Sequence, residues 1–321
     1  MNSVLSLFAA VILMLGVAHQ ADAQGYPLKP IRFVVAVFPG SPIDVLARLL
    51  GPKLSDRVGQ PVVVENRGGA GGTIGMGQLA KMPPDGYSIG MMPMPVTVAH
   101  SMYPLQYDTL RDFVPVVQLV WQYNILVVSP SLPVNGVAEL IALLKANPGK
   151  YQYASGGNGT PAHLSGEFFK IFAGVNMAHV PYKTLVPALM DVIGNRVPII
   201  FGASAPTLPH VKSGALRALA VTGPARMAPI PDIPTIAESG LAGFHVGDWQ
   251  GVIAPAQTPP NIVARLNMEF GKILELPDIR TRLGAAAMEP VGGTPEQFGE
   301  LIRSEVAKWA RVVKEAGIKA D

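Results

Sequence analysis

The sequence predicts an α/β protein with two lobes, two hinge crossings and mostly parallel sheets. Short apolar segments of strand length alternate along the chain with segments whose apolar residues recur at helical spacing. Two apolar stretches, 114–129 and 246–253, are interpreted as strands that cross between the lobes. The first lobe is therefore predicted to contain residues 24–124 and 249–321, and the second lobe residues 125–248.

The first strand-to-helix junction follows the apolar run 31–37, which predicts a buried strand. Ser41 is a good helix N-cap, Pro42 suits the first helical position, and Asp44 is spaced as in a capping box. The unpaired N–H groups and the dipole of such a terminus attract an anion. A well-capped helix without a ligand is the alternative. The predicted ligand contacts in this loop are Phe38, Pro39, Gly40, Ser41, Ile43 and Asp44.

A second strand-to-helix junction with the same features follows a short strand predicted at 151–155. Thr160 is the cap, Pro161 is the first helical residue, and Leu164 and Phe168 begin the apolar face of the helix. Two such helix N-termini, far apart in sequence, can hold one small anion from both sides of a cleft. The predicted contacts here are Ser155, Asn158, Gly159 and Thr160.

The remaining elements continue the alternation. Strands are predicted at 62–65, 87–92, 197–201 and 216–222, and one more ends just before Tyr182. Helices are predicted at 73–81, 136–146, 186–193, 208–213 and 260–274, and between a capping box at Thr294 and Gly317. Pro93 and Pro95 predict a loop, as do the small residues 202–206. Ligands in α/β sheets bind beyond the carboxyl ends of strands, so Tyr182 and Ser204 are also predicted contacts.

A glycine-rich loop spans residues 66–73 between a strand and a helix. It lacks the Gly-Lys-Ser/Thr ending of a phosphate-binding P-loop, and Ile74 breaks the glycine spacing of a dinucleotide site. We therefore predict no nucleotide cofactor. The loop is interpreted as a tight connection at the rim of the cleft, with Gly71 as a ligand contact.

The N-terminus indicates export. Residues 4–17 form an apolar run too short to span a bilayer comfortably, and residues 21–23 offer a small-x-small cleavage site. We predict a signal peptide at 1–23 and a mature chain that begins at Gln24. The run is preceded by no Lys or Arg, so a short membrane anchor is the alternative. The chain has no cysteine, which is compatible with a disulfide-free protein of the bacterial periplasm.

Charge and motifs exclude several classes of function. The net charge is only +3 and no run of Lys or Arg resembles a nucleic-acid patch, so the excess favours acidic ligands instead. The loop 202–206 lacks the last glycine of a nucleophile elbow, and the histidines show no metal-ligand spacing. His163 lies in the first turn of the second anion helix, where a ligand contact and an ordinary surface position are both open. We expect a monomer with neither catalysis nor a cofactor; a secreted enzyme is an alternative.

Nearly the whole mature chain resembles one family, the tripartite tricarboxylate transporter solute receptors, also called the Bug family of periplasmic binding proteins. The resemblance depends on motifs spread along the chain. They are Tyr26-Pro27, Lys29 to Arg32, Gly59 to Arg67, Gly69 to Gly72, Pro84 to Tyr87, Ser155 to Thr160, Val180 to Lys183, Leu216 to Thr222 and Glu289 to Gly292.

The resemblance implies a two-lobed, type II-like periplasmic binding fold. It also implies a receptor that captures a small carboxylate and presents it to membrane components of a transporter. A receptor that reports to a membrane sensor is the alternative. The family usually has Gly-Gly-Ser-Thr-Asp where this chain has Gly40 to Asp44, and often Phe-Asp-Asn where Gly202 and Ala203 stand. Pro42 has no N–H and Ile43 no hydroxyl, so we expect an apolar or aromatic carboxylate rather than an amino acid.

Overall fold

The computed structural model describes residues 25–69 and 72–318, which form alternating strands and helices. The strands are β1 Ile31–Val35, β2 Val62–Asn66, β3 Ser88–Pro93, β4 Phe113–Val128, β5 Gln152–Ser155, β6 Ala178–Pro181, β7 Ile199–Ala203, β8 Arg217–Val221, β9 Gly247–Pro255 and β10 Met288–Gly292. The helices are α1 Pro42–Val58, α2 Thr73–Ala80, α3 Pro95–Met102, α4 Val137–Ala146, α5 Pro161–Ala173, α6 Leu185–Ile193, α7 Ser204–Lys212, α8 Pro260–Leu274, α9 Pro277–Ala285 and α10 Pro295–Ala316. The predicted signal peptide, Gln24 and Gly71 lie outside the described residues.

Helix boundaries follow the capping residues that the sequence offers. Ser41 and Thr160 each accept an N–H of the first helical turn, in α1 and α5 respectively, and a proline occupies the first position of both helices. Thr294 and Gln297 form the predicted capping box of α10. These three predicted helix starts are confirmed.

The sheet is mixed, although the sequence predicted mostly parallel pairing. The pairs β1–β2, β1–β3, β5–β6 and β5–β7 are parallel, as expected for strands connected through helices. Every pair that involves β4 or β9 is antiparallel. The long central strands run against their neighbours because the chain crosses the molecule on β4 and returns towards β3 on β9.

Strand β4 changes partners halfway along its length. Tyr123 pairs with Gly247 of β9, whereas the next residue, Asn124, pairs with Ala203 of β7. Residues before this point belong to the sheet of β1 to β3, β9 and β10, and residues after it to the sheet of β5 to β8. The two sheets are therefore joined through one continuous strand.

The apolar core also joins the two halves of the α/β structure. Trp309 on α10 is fully buried and its indole lies 6.1 Å from the ring of Phe168 on α5. On the same helix, Phe298 packs edge-on against Trp249 of β9 at 5.4 Å. The apolar stripe of α10 is thus core, as predicted, and it packs the C-terminal helix against α5 and β9.

Two local predictions were wrong, and two elements were not predicted. Pro95 does not extend a loop but opens α3, because proline at the first helical position costs no hydrogen bond. The residues 202–206 are divided between the end of β7 and the start of α7, so they do not form a separate loop. Helix α9 and strand β10 were not anticipated from local pattern; β10 is stabilised by antiparallel pairing with β4.

Candidate ligand-binding site

A cavity of about 890 Å³ lies where the two sheets meet, large enough for a small organic ligand. Its lining comes from the N-termini of α1, α3 and α5, the crossing strands β4 and β9, the β7–α7 junction and helix α9. Most of the lining side chains are apolar. The apolar members include Pro42, Ile43, Leu46, Leu49, Pro93, Pro95, Leu185, Val186, Pro206, Leu283 and Met288.

The structure brings only some of the predicted contacts to this cavity. Gly40, Ile43 and Thr160 line it. Gly71 is not among the described residues. The other predicted contacts are absent from the lining, and they are Phe38, Pro39, Ser41, Asp44, Ser155, Asn158, Gly159, Tyr182 and Ser204. The two predicted junctions therefore meet at one cavity, but through fewer residues than the sequence suggested.

The N-terminus of α1 is largely occupied by its own capping contacts. The Gly40 N–H donates to Asp44 Oδ2 at 2.9 Å, and the Asp44 N–H donates to Ser41 Oγ at 3.3 Å. The Val45 N–H donates to the Ser41 carbonyl, and Pro42 has no N–H. In the described part of the chain, this leaves the Ile43 N–H as the first-turn donor without a partner.

The Asp44 carboxylate is held by hydrogen bonds within the protein and does not line the cavity. Burial acts to raise its pKa, but the Arg48 guanidinium, the Gly40 N–H and the Asn66 amide together hold that pKa below its usual range. Arg48 Nε lies 3.0 Å from both carboxylate oxygens, and Asn66 Nδ2 lies 2.8 Å from Oδ1. The predicted capping box is only half formed, because the carboxylate reaches the Gly40 N–H rather than that of Ser41.

The N-terminus of α5 is likewise largely occupied by its own capping contacts. The Gly159 N–H donates to His163 Nδ1 at 3.0 Å, and the His163 N–H donates to Thr160 Oγ1. Pro161 has no N–H, so the Ala162 N–H remains as the unpartnered first-turn donor among the residues described. Ala162 and Ile43 both line the cavity. Each helix therefore offers one backbone donor to an anion.

His163 supports the loop before α5 and is absent from the cavity lining. It is buried, stacks on His179 with ring centroids 4.1 Å apart, and accepts the Gly159 N–H on Nδ1. Burial, assisted by the positive charge of Lys170, lowers the pKa of His163 to about 4. The imidazole is therefore neutral at pH 7, and its acceptor nitrogen fixes the conformation of the loop before α5.

The remaining predicted contacts have other partners or positions. Ser155 Oγ is 2.6 Å from His179 Nε2, and the Tyr182 hydroxyl donates to Asp191 Oδ2 at 2.6 Å. Phe38 is exposed, and Ser204 is buried at the start of α7 beside the lining residues Ala203 and Ala205. None of these four predicted residues lines the cavity, whereas Ala203 and Ala205, which flank Ser204 in the sequence, do.

Sequence reasoning missed the polar floor of the cavity. Gln122 and Asn124 on β4, and Asp248 and Gln250 on β9, all line it. Two polar side chains separated by one residue inside an apolar strand indicate a strand with one polar face, and that alternation was available in the sequence. The exposed Arg282 of α9 also lines the cavity, and its position could not be anticipated because α9 itself was not.

Two absences apply to the part of the chain that the structure describes. No cluster of three or more His, Cys, Asp or Glu side chains there is arranged to hold a metal ion. None of the described helices is both long enough and apolar enough to cross a bilayer.

The fold and its cavity define a two-lobed α/β solute-binding protein. Residues 46–318 match the model of the TctC family, described as the tripartite tricarboxylate transporter family receptor. The chain belongs to this family of periplasmic carboxylate receptors. It is similar to protein BugT of Bordetella pertussis, with 37% identity over 322 residues and 99% of each chain covered.

Solved structures agree with this assignment. The chain resembles Rpa4515 of R. palustris, determined with adipate, at 35% identity and a TM-score of 0.78, with 92% of this chain and 99% of that chain covered. It also resembles MatC (Rpa3494) from Rhodopseudomonas palustris with bound malate, at 29% identity and a TM-score of 0.75, covering 90% of this chain and 100% of that one.

Proposed function

We propose that this protein captures one small carboxylate with an apolar or aromatic body and delivers it to the membrane components of a tripartite tricarboxylate transporter. One observation carries the proposal: two helix N-termini, with donors at Ile43 and Ala162, line one cavity whose remaining walls are mostly apolar. The ligand carboxylate accepts from these donors, and its body packs against the walls. Adipate and malate, found with the two relatives, are also small carboxylates, and both are dicarboxylates.

The energetics require an apolar contribution. Hydrogen bonds to a charged group contribute about 1.5–3 kcal/mol each, so two donors supply about 3–6 kcal/mol. Micromolar affinity corresponds to about 8 kcal/mol. Burying about 150 Å² of apolar ligand surface adds about 4 kcal/mol, which brings the sum to about 7–10 kcal/mol before the cost of ordering the complex. A ligand without an apolar body would lack this contribution.

The proposal includes the organisation of the chain. Residues 1–23 direct export and are removed before Gln24, and the protein acts as a monomer. The lobes are 24–124 with 249–321, and 125–248, and they close about β4 and β9 by a hinge motion. Binding proceeds without turnover of the ligand.

The first test is native mass spectrometry of residues 24–321 purified from the periplasm, before and after mild denaturation. We expect a folded monomer that releases a small organic acid on denaturation. Isothermal titration calorimetry then compares benzoate, hexanoate, adipate and glutamate on the stripped protein. Stronger binding of glutamate than of benzoate and hexanoate would contradict the apolar-ligand proposal.

Delivery is tested in cells. Deletion of the gene should abolish uptake of the identified acid, and expression of the wild-type chain should restore it. Unchanged uptake in the deletion strain would contradict the transport role while leaving the binding role in place.

A further inference from the structure

The floor of the cavity contains polar atoms that the protein does not satisfy. Gln250 is 1% exposed, and neither Oε1 nor Nε2 of its amide has a hydrogen-bond partner among the described residues. Asp248 Oδ1 is also buried and without a partner there. Both side chains line the cavity. Burying an unsatisfied polar group costs about 1–3 kcal/mol, so three such atoms at one place need an explanation.

Strand geometry places these two side chains together. Asp248 and Gln250 are two residues apart on β9 and therefore point to the same face of the sheet. Gln122 pairs with Asp248 across the antiparallel ladder, and Asn124 is two residues further along β4. The amide nitrogens of these β4 residues have acceptors, at Ala286 O (3.5 Å) and Ser165 Oγ (3.1 Å). The unsatisfied atoms are thus concentrated on β9.

We propose that Asp248 and Gln250 form a second polar subsite, which binds a hydroxyl group of the ligand separate from its carboxylate. The inference builds on the proposed function and names the ligand class more closely, as a hydroxy-substituted apolar carboxylate. The hydroxyl donates to Asp248 Oδ1 and accepts from Gln250 Nε2. One small neutral group therefore satisfies a donor and an acceptor at the same time.

Charge and hydrogen-bonding capacity argue against a second carboxylate or an ammonium group at this subsite. A second carboxylate would face the carboxyl group of Asp248 without a neutralising cation on the floor. The cationic side chains of the lining are Arg48, which is held by Asp44 and Asn66, and the exposed Arg282. Burial raises the pKa of Asp248 to about 7, so Asp248 is charged and repels a second carboxylate mainly above that pH. An ammonium group can donate to Asp248 Oδ1 and to Gln250 Oε1, but it leaves the Gln250 Nε2 donor without an acceptor, because an ammonium group only donates.

The experiment uses matched acids on the stripped mature protein. Calorimetry compares benzoate with 4-hydroxybenzoate and hexanoate with 6-hydroxyhexanoate, and adipate serves as the dicarboxylate probe. Wild-type protein should prefer the hydroxylated member of at least one pair by about tenfold, the effect of about one net hydrogen bond. Gln250→Leu should lose this preference, and Asp248→Asn should reduce it.

Gln118→Leu is the matched control. Gln118 on β4 is also a buried glutamine, and its Nε2 has no partner among the described residues. It does not line the cavity, so its replacement should leave the preference intact. Circular dichroism checks that each variant is folded.

The outcomes separate the two proposals. Equal affinity within both pairs, or tighter binding of adipate than of either hydroxy acid, overturns the subsite and leaves carboxylate capture standing. An equal loss of preference in Gln250→Leu and Gln118→Leu also overturns it, because the effect would then come from general disturbance of the crossing strands. Failure of every acid to bind overturns the proposed function, and the subsite with it.

Discussion

Asp44 illustrates how one residue can fit a functional pattern and serve the structure. Its spacing from Ser41 suggested a ligand loop, yet its carboxylate accepts from Gly40, Arg48 and Asn66 and is nearly inaccessible. Gly40 adopts φ +85°, a conformation that favours glycine, and the hydrogen bond to Asp44 holds it there. The residue therefore fixes the conformation of the loop before α1.

Removing this carboxylate should weaken the fold. We expect Asp44→Ala to lower the free energy of unfolding by about 2–4 kcal/mol, because three donors lose their acceptor at once. Urea denaturation followed by circular dichroism measures the effect. Asp56→Ala is the control, since Asp56 is exposed on the same helix. Equal stability of the two variants would contradict the structural role of Asp44.

His163 makes stability depend on pH. Its pKa is lowered to about 4 in the folded protein, mainly by burial and further by Lys170, against about 6.5 in an unfolded chain. The unfolded state therefore binds the proton first. This contribution is constant above pH 6.5, and stability falls as the pH drops from 6.5 towards 4, by at most about 1.4 kcal/mol per unit.

Urea titrations at pH 7, 6 and 5 measure this dependence. His163→Asn should show a shallower loss, because asparagine can still accept the Gly159 N–H through Oδ1 but does not titrate. His100→Asn, at an exposed position, should follow the wild type. Parallel curves for wild type and His163→Asn would show that another group is responsible.

At the level of elements, two helices carry the same cap for different purposes. Thr160 caps α5 beside the cavity, whereas Thr294 caps α10 and is absent from the cavity lining. Losing either threonine cap removes one hydrogen bond to the first helical turn. Comparing the loss of the two caps therefore distinguishes an effect on helix stability from an effect on the position of the unpartnered N–H at the α5 terminus.

We expect Thr160→Ala and Thr294→Ala each to destabilise the protein by about 1 kcal/mol. Only Thr160→Ala should weaken ligand binding, because the Ala162 N–H loses its fixed direction when the cap is removed. Thermal unfolding and calorimetry with the identified acid measure the two effects. A similar loss of affinity in both variants would show that global stability, rather than the α5 terminus, controls binding.

At the scale of the whole molecule, two features connect the halves. Strand β4 passes continuously between the sheets, and α10 packs on both α5 and β9 through Trp309 and Phe298. The cavity is lined by residues of β4 and β9 and by the N-termini of α1 and α5. A ligand that contacts both helix N-termini therefore stabilises the arrangement in which they approach each other.

Ligand binding should consequently make the protein more compact. Small-angle X-ray scattering of the mature chain is expected to show a smaller radius of gyration with the identified acid than without it. An acid that does not bind in calorimetry serves as the control at the same concentration. An unchanged radius with saturating ligand would contradict closure about β4 and β9.

Local sequence determined most of the elements and several helix termini, because strand and helix periods, caps and N-terminal prolines act over a few residues; it did not predict α3, α9 or β10. It also indicated both loops that meet at the cavity. It did not determine which of their groups stay free. The Gly40 and Gly159 N–H groups are taken by Asp44 and His163, and only three-dimensional distances decide that.

The tertiary structure alone decided the floor of the site and the form of the sheet. Asp248 and Gln122 are far apart in sequence, and they become neighbours because β4 and β9 pair antiparallel in one register. The same pairing made the sheet mixed and gave β10 its place beside β4. Register, strand order and the burial of unsatisfied polar atoms depend on long-range packing, which no local pattern of residues specifies.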